Sequence, residues 1–436
     1  MFLIQKGEIE GRLDCYYLQA IISNPLKSVF KTYPLNKLVW TTTGGTPDKS
    51  NFSYWNGDIF WVSPKDFKSL EISESQDTIT HEGLKNSSTK LIESENVLIV
   101  VRSGVLQHTL PVAVNKTDVA INQDIKALII KDRSLLNPYY LVFYFNTFQE
   151  SLLPLIVKNG TTVQSINTEQ FDKLIIPVPP IEKQAEIIAL FETAYHAKKQ
   201  KEAEAAELLA SIDGYLLQEL GIDLGRVGNA LPTPRKFFYT SANKLSGGRF
   251  DSFYHQIEFD DYKNPVSKYQ IKQIGKLAVS IQTGLPVRND FRSENGIYPY
   301  YGANGIIGYM DEFTHDGTYL VVAQDGYIGN HYVVIGKFWA SNHNWVMKLD
   351  ESQIIYDYAK SVLDIWNYTY LVTGAVIPKL TKEALKSIKI PLPPLEKQTE
   401  IAAHISAIRQ SAKQLQQQAA FELEQAKQHV EKLILG

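Results

Sequence analysis

The sequence predicts an α+β protein built twice over: two tandem α/β regions, each followed by one long helix, with the two helices pairing as a coiled coil. Three observations predict this. A proline-rich block of twelve residues occurs twice, each copy opens a long stretch of helical periodicity, and the stretch before each copy carries short β-branched runs broken by Gly, Asn and Pro.

The elements follow in chain order. Met1 to Gly7 carry charges in place of an apolar run, so no secretory signal is expected. Gly11-Arg12-Leu13-Asp14-Cys15-Tyr16-Tyr17 returns as Gly248-Arg249-Phe250-Asp251-Ser252-Phe253-Tyr254, 237 residues on. Val97 to Val101, Pro111 to Val114 and Ala127 to Ile130 read as strands of the first region. Thr318 to Ala323 and Tyr332 to Ile335 read as strands of the second. Leu135 to Leu153 and Gln353 to Val372 look like aromatic-rich helices in matching places. The block Ile176-Pro-Val-Pro-Pro-Ile-Glu-Lys-Gln-Ala-Glu-Ile187 recurs as Ile390-Pro-Leu-Pro-Pro-Leu-Glu-Lys-Gln-Thr-Glu-Ile401, 214 residues on. Proline is tolerated in a first helical turn, and Glu182 and Glu396 sit where the helix dipole favours negative charge.

Behind the first block, Ile181, Ala185, Ile188, Phe191 and Tyr195 form an apolar stripe that resumes at Ala205, Leu209, Ile212, Leu216 and Leu220. Behind the second, Ala402, Ile405, Ile408, Ala412, Leu415, Ala419, Ala426, Val430 and Leu433 recur at threes and fours. About 40 helical residues make a rod of about 60 Å. Such a stripe needs cover, and each helix is the other's simplest partner. The expected organisation is a first region over 1–180, a helix over 181–220, a Gly/Pro/Ser/Asn-rich linker over 221–247, a second region over 248–394 and a last helix over 395–436.

Composition closes off several functions. With 44% hydrophobic and 11% aromatic residues the chain has apolar surface enough for packed cores. The lone Cys15 excludes a disulfide framework and a thiolate metal cluster, and fits a reducing, cytoplasmic compartment. The longest apolar runs fall far short of the ~20 residues a membrane helix needs. A net charge of −3 gives no sign of nucleic-acid binding, so any DNA-facing basic surface must be local. Phe-x-Gly-x-Gly, Walker and His-Glu-x-x-His signatures are absent. Asn137-Pro138-Tyr139-Tyr140 resembles the adenine-holding Asn-Pro-Pro-Tyr of amino-methyltransferases without its second proline, and reads as a helix cap. Pro47-Asp48 with Asp124-Ile-Lys126 is too scattered to make a nuclease.

Two Arg-x-Asp-x-x-Tyr frames, two unlike α+β inserts, and two Ile-Pro-x-Pro-Pro-x-Glu-Lys-Gln-x-Glu-Ile blocks each leading a long helix resemble the specificity subunit of type I restriction-modification systems. The resemblance covers nearly the whole chain. It implies that each insert is a target-recognition domain reading one half of a split, asymmetric site in double-stranded DNA. It also implies that the helices pack as an antiparallel spacer and dock two DNA methyltransferase (modification) subunits, with restriction subunits where the system has them. Catalysis and S-adenosylmethionine would then belong to the modification subunit, leaving this chain non-catalytic and without a cofactor. Two rival readings remain open here: a divergent nuclease or methyltransferase, and a coiled-coil scaffold for proteins.

Base edges are read by side chains with fixed donors and acceptors. The loop residues of these types are Lys65, Arg102, Gln107, His108 and Gln123 in the first insert. In the second they are Arg288, Asn289, Asn304, Gln324, Asn330, Asn342, His343 and Asn344. Thr43, Gly44, Thr46 and Thr283 suit phosphates through hydroxyls and backbone N–H groups. For any one of them a solvated or turn-capping role is the plain alternative. Arg12 with Asp14 and Arg249 with Asp251 read as ion pairs anchoring the frames, with a partner contact as the alternative. Lys183, Gln184, Lys397 and Gln398 read either as solvated helix faces or as partner-docking residues.

Overall fold

The computed structural model describes residues 28–158, 163–222, 266–287, 296–366, 371–372 and 379–436. The Arg12/Asp14 and Arg249/Asp251 frames, Cys15 and nearly all of the expected linker lie outside these. Two compact units divide the chain: Met1–Glu202 with Gln416–Gly436, and Ala203–Leu415. Each takes one α+β region and a piece of both long helices.

In the first unit the described strands are β1 (Thr32–Pro34), β2 (Val39–Thr43), β3 (Trp55–Val62), β4 (Glu71–Ile72), β5 (Asp77–Ile79), β6 (Lys90–Ile92), β7 (Val97–Val100), β8 (Val112–Asn115), β9 (Val119–Ile121), β10 (Ile125–Ile130), β11 (Val157–Lys158), β12 (Ser165–Ile166) and β13 (Ile175–Pro177). Its helices are α1 (Leu35–Leu38), α2 (His81–Lys85), α3 (Pro138–Ile156), α4 (Thr168–Asp172) and the start of α5 (Ile181–Leu220). Strand order is β2-β10-β7-β8-β4 in one sheet and β5-β3-β9-β6 in the other. β7 reads as a continuous apolar run because all four of its residues are buried. Asn137 caps α3 by accepting from Tyr139 N at 2.9 Å, with Pro138 in the first turn, as its sequence suggested. The aromatic face of α3 then fills the core, where Phe143 stacks on Phe191 of α5 at 4.5 Å between centroids.

The second unit holds β14 (Ile271–Gln273), β15 (Ala278–Thr283), β16 (Tyr298–Gly302), β17 (Gly305–Met310), β18 (His315–Ala323), β19 (His331–Ala340), β20 (Asn344–Leu349) and β21 (Lys389–Pro391). Its helices are α6 (Tyr356–Ile365), α7 (Lys382–Ser387) and the start of α8 (Leu395–Leu435). One six-stranded sheet runs β15-β20-β18-β19-β16-β17. α6 stops short of the Val372 that the pattern suggested, ending at Ile365.

Under the different sheets lies one scaffold used twice. β1 pairs with β13 as β14 pairs with β21. Leu35 N donates to Leu174 O at 2.8 Å, and Ile274 N to Ile388 O at 2.8 Å. The buried Tyr140 hydroxyl donates to Pro177 O at 2.8 Å, and Tyr358 to Pro391 O at 2.7 Å.

The helices repeat just as closely. The buried residues of α5 include Gln184, Ile187, Phe191, Ala205, Ile212, Leu216 and Leu220; each has a buried counterpart 214 positions on, at Gln398, Ile401, Ile405, Ala419, Ala426, Val430 and Ile434 of α8. The positions follow one another by three, four, seven or fourteen residues, the spacing of a coiled-coil seam. The pairing is antiparallel within each unit. In the second, Lys397 meets Glu219 at 2.8 Å while His404 meets Tyr215 at 4.2 Å between rings. In the first, Lys201 meets Glu422 at 2.6 Å, and Phe191 shares a core with Val430 and Ile434. The seam corrects the expected stripe near the start of α5: Ala185 is exposed and Ile188 only half-buried, whereas Gln184 and Ile187 face inward. A polar glutamine held the seam position, and an apolar count passes over it.

An ion cluster braces the second unit. Asp364 at the end of α6 takes His331 Nε2 at 2.8 Å, Lys360 Nζ at 2.8 Å, and the Arg409 guanidinium of α8. Burial alone would raise the Asp364 carboxyl, but His331 and Lys360 outweigh it and hold the group well below the usual carboxylate range. A depressed folded pKa means stability that is present above the ordinary carboxylate value of about 4 and is lost as pH falls below it. Asp364→Asn should therefore cost about 1–2 kcal/mol at neutral pH, between the values for an exposed and a buried pair. In thermal melts the variant should lose less further stability than the parent between about pH 4 and pH 2.

Candidate nucleic-acid interface

Antiparallel order gathers the predicted residues at one sheet edge. In the first unit Lys126 pairs with Thr43 and Ile125 with Val100, so the ends of β2 and β7 and the start of β10 lie together. Thr43, Gly44 and Thr46 leave β2; Arg102, Gln107 and His108 leave β7; Gln123 precedes β10. Hydrogen bonds close the loops on each other. Gly45 N donates to Ile121 O at 3.0 Å, Trp61 Nε1 to Gly45 O at 3.0 Å, and Thr46 Oγ1 to Gln123 Oε1 at 2.5 Å. Arg102 Nε stands 2.8 Å from Asp124 Oδ1, an ion pair rather than an aligned hydrogen bond. Arg102, Gln107, His108, Gln123 and Thr43 are exposed. Lys65 follows β3, whose Val62 O accepts from Asn122 N at 3.0 Å, and its ammonium is paired with Asp77 at 2.7 Å.

Gly44 is required here by close approach: a Cβ would lie 1.7 Å from Ile121 O, a backbone atom. Gly284, the matching residue of the second unit, would meet Ser341 O at 2.1 Å. Gly44→Ala should cost about 1–3 kcal/mol through overpacking and pull the loop off the sheet edge. Gly104→Ala, with nothing within 4 Å of its Cβ, should cost nothing measurable by the same thermal melts.

The second unit repeats the edge with other residues. Thr283 ends β15 opposite Trp345, and Ala323 ends β18 opposite Asn344. Gly284 N donates to Asn344 O at 3.0 Å, and Gln324 N to His343 O at 2.9 Å. His343 Nδ1 lies 2.7 Å from Asp325 Oδ1. Asn330 Nδ2 donates to Asn304 Oδ1 at 3.0 Å. Thr283, Asn304, Asn342 and His343 are exposed and Asn330 is half-buried. Arg288 and Asn289 lie outside the described residues.

Two expected readers are corrected. Asn344 is fully buried and donates to Tyr301 O at 2.9 Å, so it ties β16 to the loop. Gln324 is 6% exposed, and its amide donates to Asn342 O. Both brace the edge from beneath through hydrogen bonds to backbone carbonyls of neighbouring segments.

The predicted docking glutamines are corrected as well. Gln184 is 0% exposed; its Oε1 accepts from Asn137 N at 2.9 Å and its Nε2 donates to Leu135 O and Pro179 O, both at 2.8 Å. Gln398 is equally buried and repeats the set on Ile355 N, Gln353 O and Pro393 O, each at 2.9 Å. These amides clamp the first turn of a long helix to the entry of the aromatic helix. Neither can face a partner. Lys183 and Lys397 are partly exposed and paired, with Glu186 at 2.8 Å and with Glu219 and Glu400 at 2.8 Å. Glu219 and Glu400 hold the Lys397 ammonium above its usual range.

Sequence reasoning passed over Asp124 and Asp325 as edge residues, since isolated acids in Gly/Asn loops look like solvated turns. Among the described residues no group of three or more His, Cys, Asp and Glu is placed to hold a metal ion. No helix is long and apolar enough to cross a membrane, again among the described residues.

The model of the type I restriction modification DNA specificity domain matches this chain twice, over residues 27–208 and 264–425. The EcoR124I/EcoR124II specificity subunit of Escherichia coli is 37% identical over 150 residues, 34% of this chain and 37% of that protein. A putative specificity subunit of Haemophilus influenzae is 37% identical over 28% of this chain and 32% of its own length, so these two matches span about a third of each relative. The EcoprrI specificity subunit of Escherichia coli is 25% identical over 85% of both chains. A chain from a structure describing complex assembly and conformational transition of the type I R-M system superimposes with TM-score 0.54 over 94% of this chain and 98% of that one; at 15% identity it shows the fold alone. With the family model matching both α+β regions and the helices after them, the chain belongs to the type I restriction modification DNA specificity domain family.

Proposed function

We propose that the chain reads a bipartite, asymmetric site in double-stranded DNA, each unit reading one half, and docks two methyltransferase subunits of its own system in the cytoplasm. One observation carries this reading. A single scaffold, down to its clamping glutamines and tyrosines, is used twice and carries unlike loops at the same edge. Like frames suit like partners, whereas unlike loops suit unlike base sequences. The exposed turns around Glu182 and Glu396 are the equivalent surfaces for docking, now that Gln184 and Gln398 are committed internally. S-adenosylmethionine and the methyl-transfer chemistry belong to the modification subunits, and restriction subunits join where the system encodes them.

Reconstitution with the modification subunit tests the proposal. The isolated chain should bind no S-adenosylmethionine by calorimetry, and the complex should bind it. Native mass measurement should give two modification subunits per chain. Duplex binding by the complex should weaken steeply between low and high salt, as phosphate contacts require. A saturated one-to-one complex, or cofactor binding by the chain alone, would contradict it.

A further inference from the structure

The two edges carry the same acid–base side-chain contact with the acid and the base exchanged. Backbone hydrogen bonds fix the equivalence. Val101 N donates to Asp124 O at 2.8 Å as Gln324 N donates to His343 O at 2.9 Å. Ile166 N donates to Val101 O at 2.9 Å as Leu380 N donates to Gln324 O at 2.7 Å. Arg102 bridges to Ser165 as Asp325 bridges to Lys379. Arg102 therefore occupies the place of Asp325, and Asp124 the place of His343. In the first unit the base leaves β7 and the acid precedes β10; in the second the acid leaves β18 and the base precedes β20.

The geometry is alike across the exchange. The separations are 2.8 and 2.7 Å; the carboxylates are 20% exposed in both units, while the Arg102 and His343 side chains are 59% and 56% exposed. Ion pairs this exposed contribute about 0–1 kcal/mol, too little to explain their presence as stability devices. Each carboxylate instead stands against one nitrogen of an exposed head, in charge contact with Nε of Arg102 and at hydrogen-bond distance from Nδ1 of His343, and so restricts where the remaining nitrogens point. For Arg102 these are the two terminal guanidinium nitrogens, a fork that matches O6 and N7 of guanine. For His343 it is Nε2 alone, a single point of contact whose partner at Nδ1 sets the tautomer.

We infer that Asp124 and Asp325 are positioning residues for specificity: each aims one base-reading head, Arg102 at a guanine of one half-site and His343 at one base of the other. This rests on the proposed function and extends it to named contacts. The exchange of acid and base places the reading head on different strands of the same edge, which is one physical source of unlike half-sites on like scaffolds.

The test uses the full chain assembled with its modification subunits and genome-wide mapping of methylated bases. Arg102→Ala and Asp124→Asn should each relax the same single position of one half-site, by about tenfold or more in preference for guanine, a change in the range a bidentate contact supplies. The double variant should relax it no further than Arg102→Ala. His343→Ala and Asp325→Asn should relax one position of the other half-site, more weakly. Melting temperatures should stay near that of the parent, because pairs this exposed contribute little to stability. If Asp124→Asn does not fold, the exposed Arg102→Ala still decides. An unchanged motif in Arg102→Ala, or a uniform loss of methylation with base preferences intact, would overturn the inference and make these heads phosphate anchors or mere surface pairs. A parent complex that methylates no split site would sink the underlying reading before any variant is compared.

Discussion

Exchanging residues 35–174 for the corresponding insert of another member of the family should replace one half-site entirely and leave the other half-site unchanged. The junctions are chosen by the scaffold: Leu35 N and Leu174 O already close the frame, and β1 and β13 stay native outside it. All first-unit edge residues, from Thr43 to Gln123, travel with the insert, and none of the second unit's do. The imported aromatic helix must still meet Phe191, Val430 and Ile434 and hold Pro177 O, so the donor should carry an apolar residue where Phe143 stands and a tyrosine where Tyr140 stands. Methylome sequencing of the hybrid reads the outcome. Alteration of both half-sites would mean that the loops of one unit do not read alone.

The second large effect is on stability. Gln184→Ala and Gln398→Ala should each lower stability by about 3 kcal/mol or more, because each strands one backbone donor and two carbonyls in the interior at about 1–3 kcal/mol per unpaired group. For domains of this size that is a fall of roughly 6–12 °C in melting temperature. Equal hydrogen-bond sets predict near-equal losses from the two variants. Glutamate at either place should be at least as harmful, since it turns an amide donor into an oxygen facing two carbonyls. Scanning calorimetry on the full chain checks all four variants, and a loss below about 1 kcal/mol would show that water replaces the clamp.

Much of the architecture was legible because repetition is visible in letters. The twelve-residue block marked both helix starts, Ile181 and Leu395, to the residue, since Pro-Pro followed by Glu is a local signal. The β-branched runs located β7, β8, β10, β18 and β19, and burial on both faces of β7, β8 and nearly all of β10 leaves little ambiguity there. The site was legible only in part. Loop residues of the right types did converge at one edge, but the antiparallel order that gathers them is set by pairings between distant strands, which no local pattern carries. Amide side chains misled most. Gln184, Gln398, Gln324 and Asn344 look like surface residues by type, yet each satisfies backbone groups in the interior, a role decided by tertiary neighbours. The acid–base contact exchanged between Arg102–Asp124 and Asp325–His343 was hidden for a related reason. The partners are 22 and 18 residues apart in sequence, and their equivalence appears only through backbone register.

The most direct measurement is the methylome of cells expressing the unaltered chain with its modification subunit, against cells lacking the chain. Two unlike short half-sites separated by unread bases, methylated only when the chain is present, are the expected result. A continuous palindrome, or the same methylation without the chain, would contradict the account.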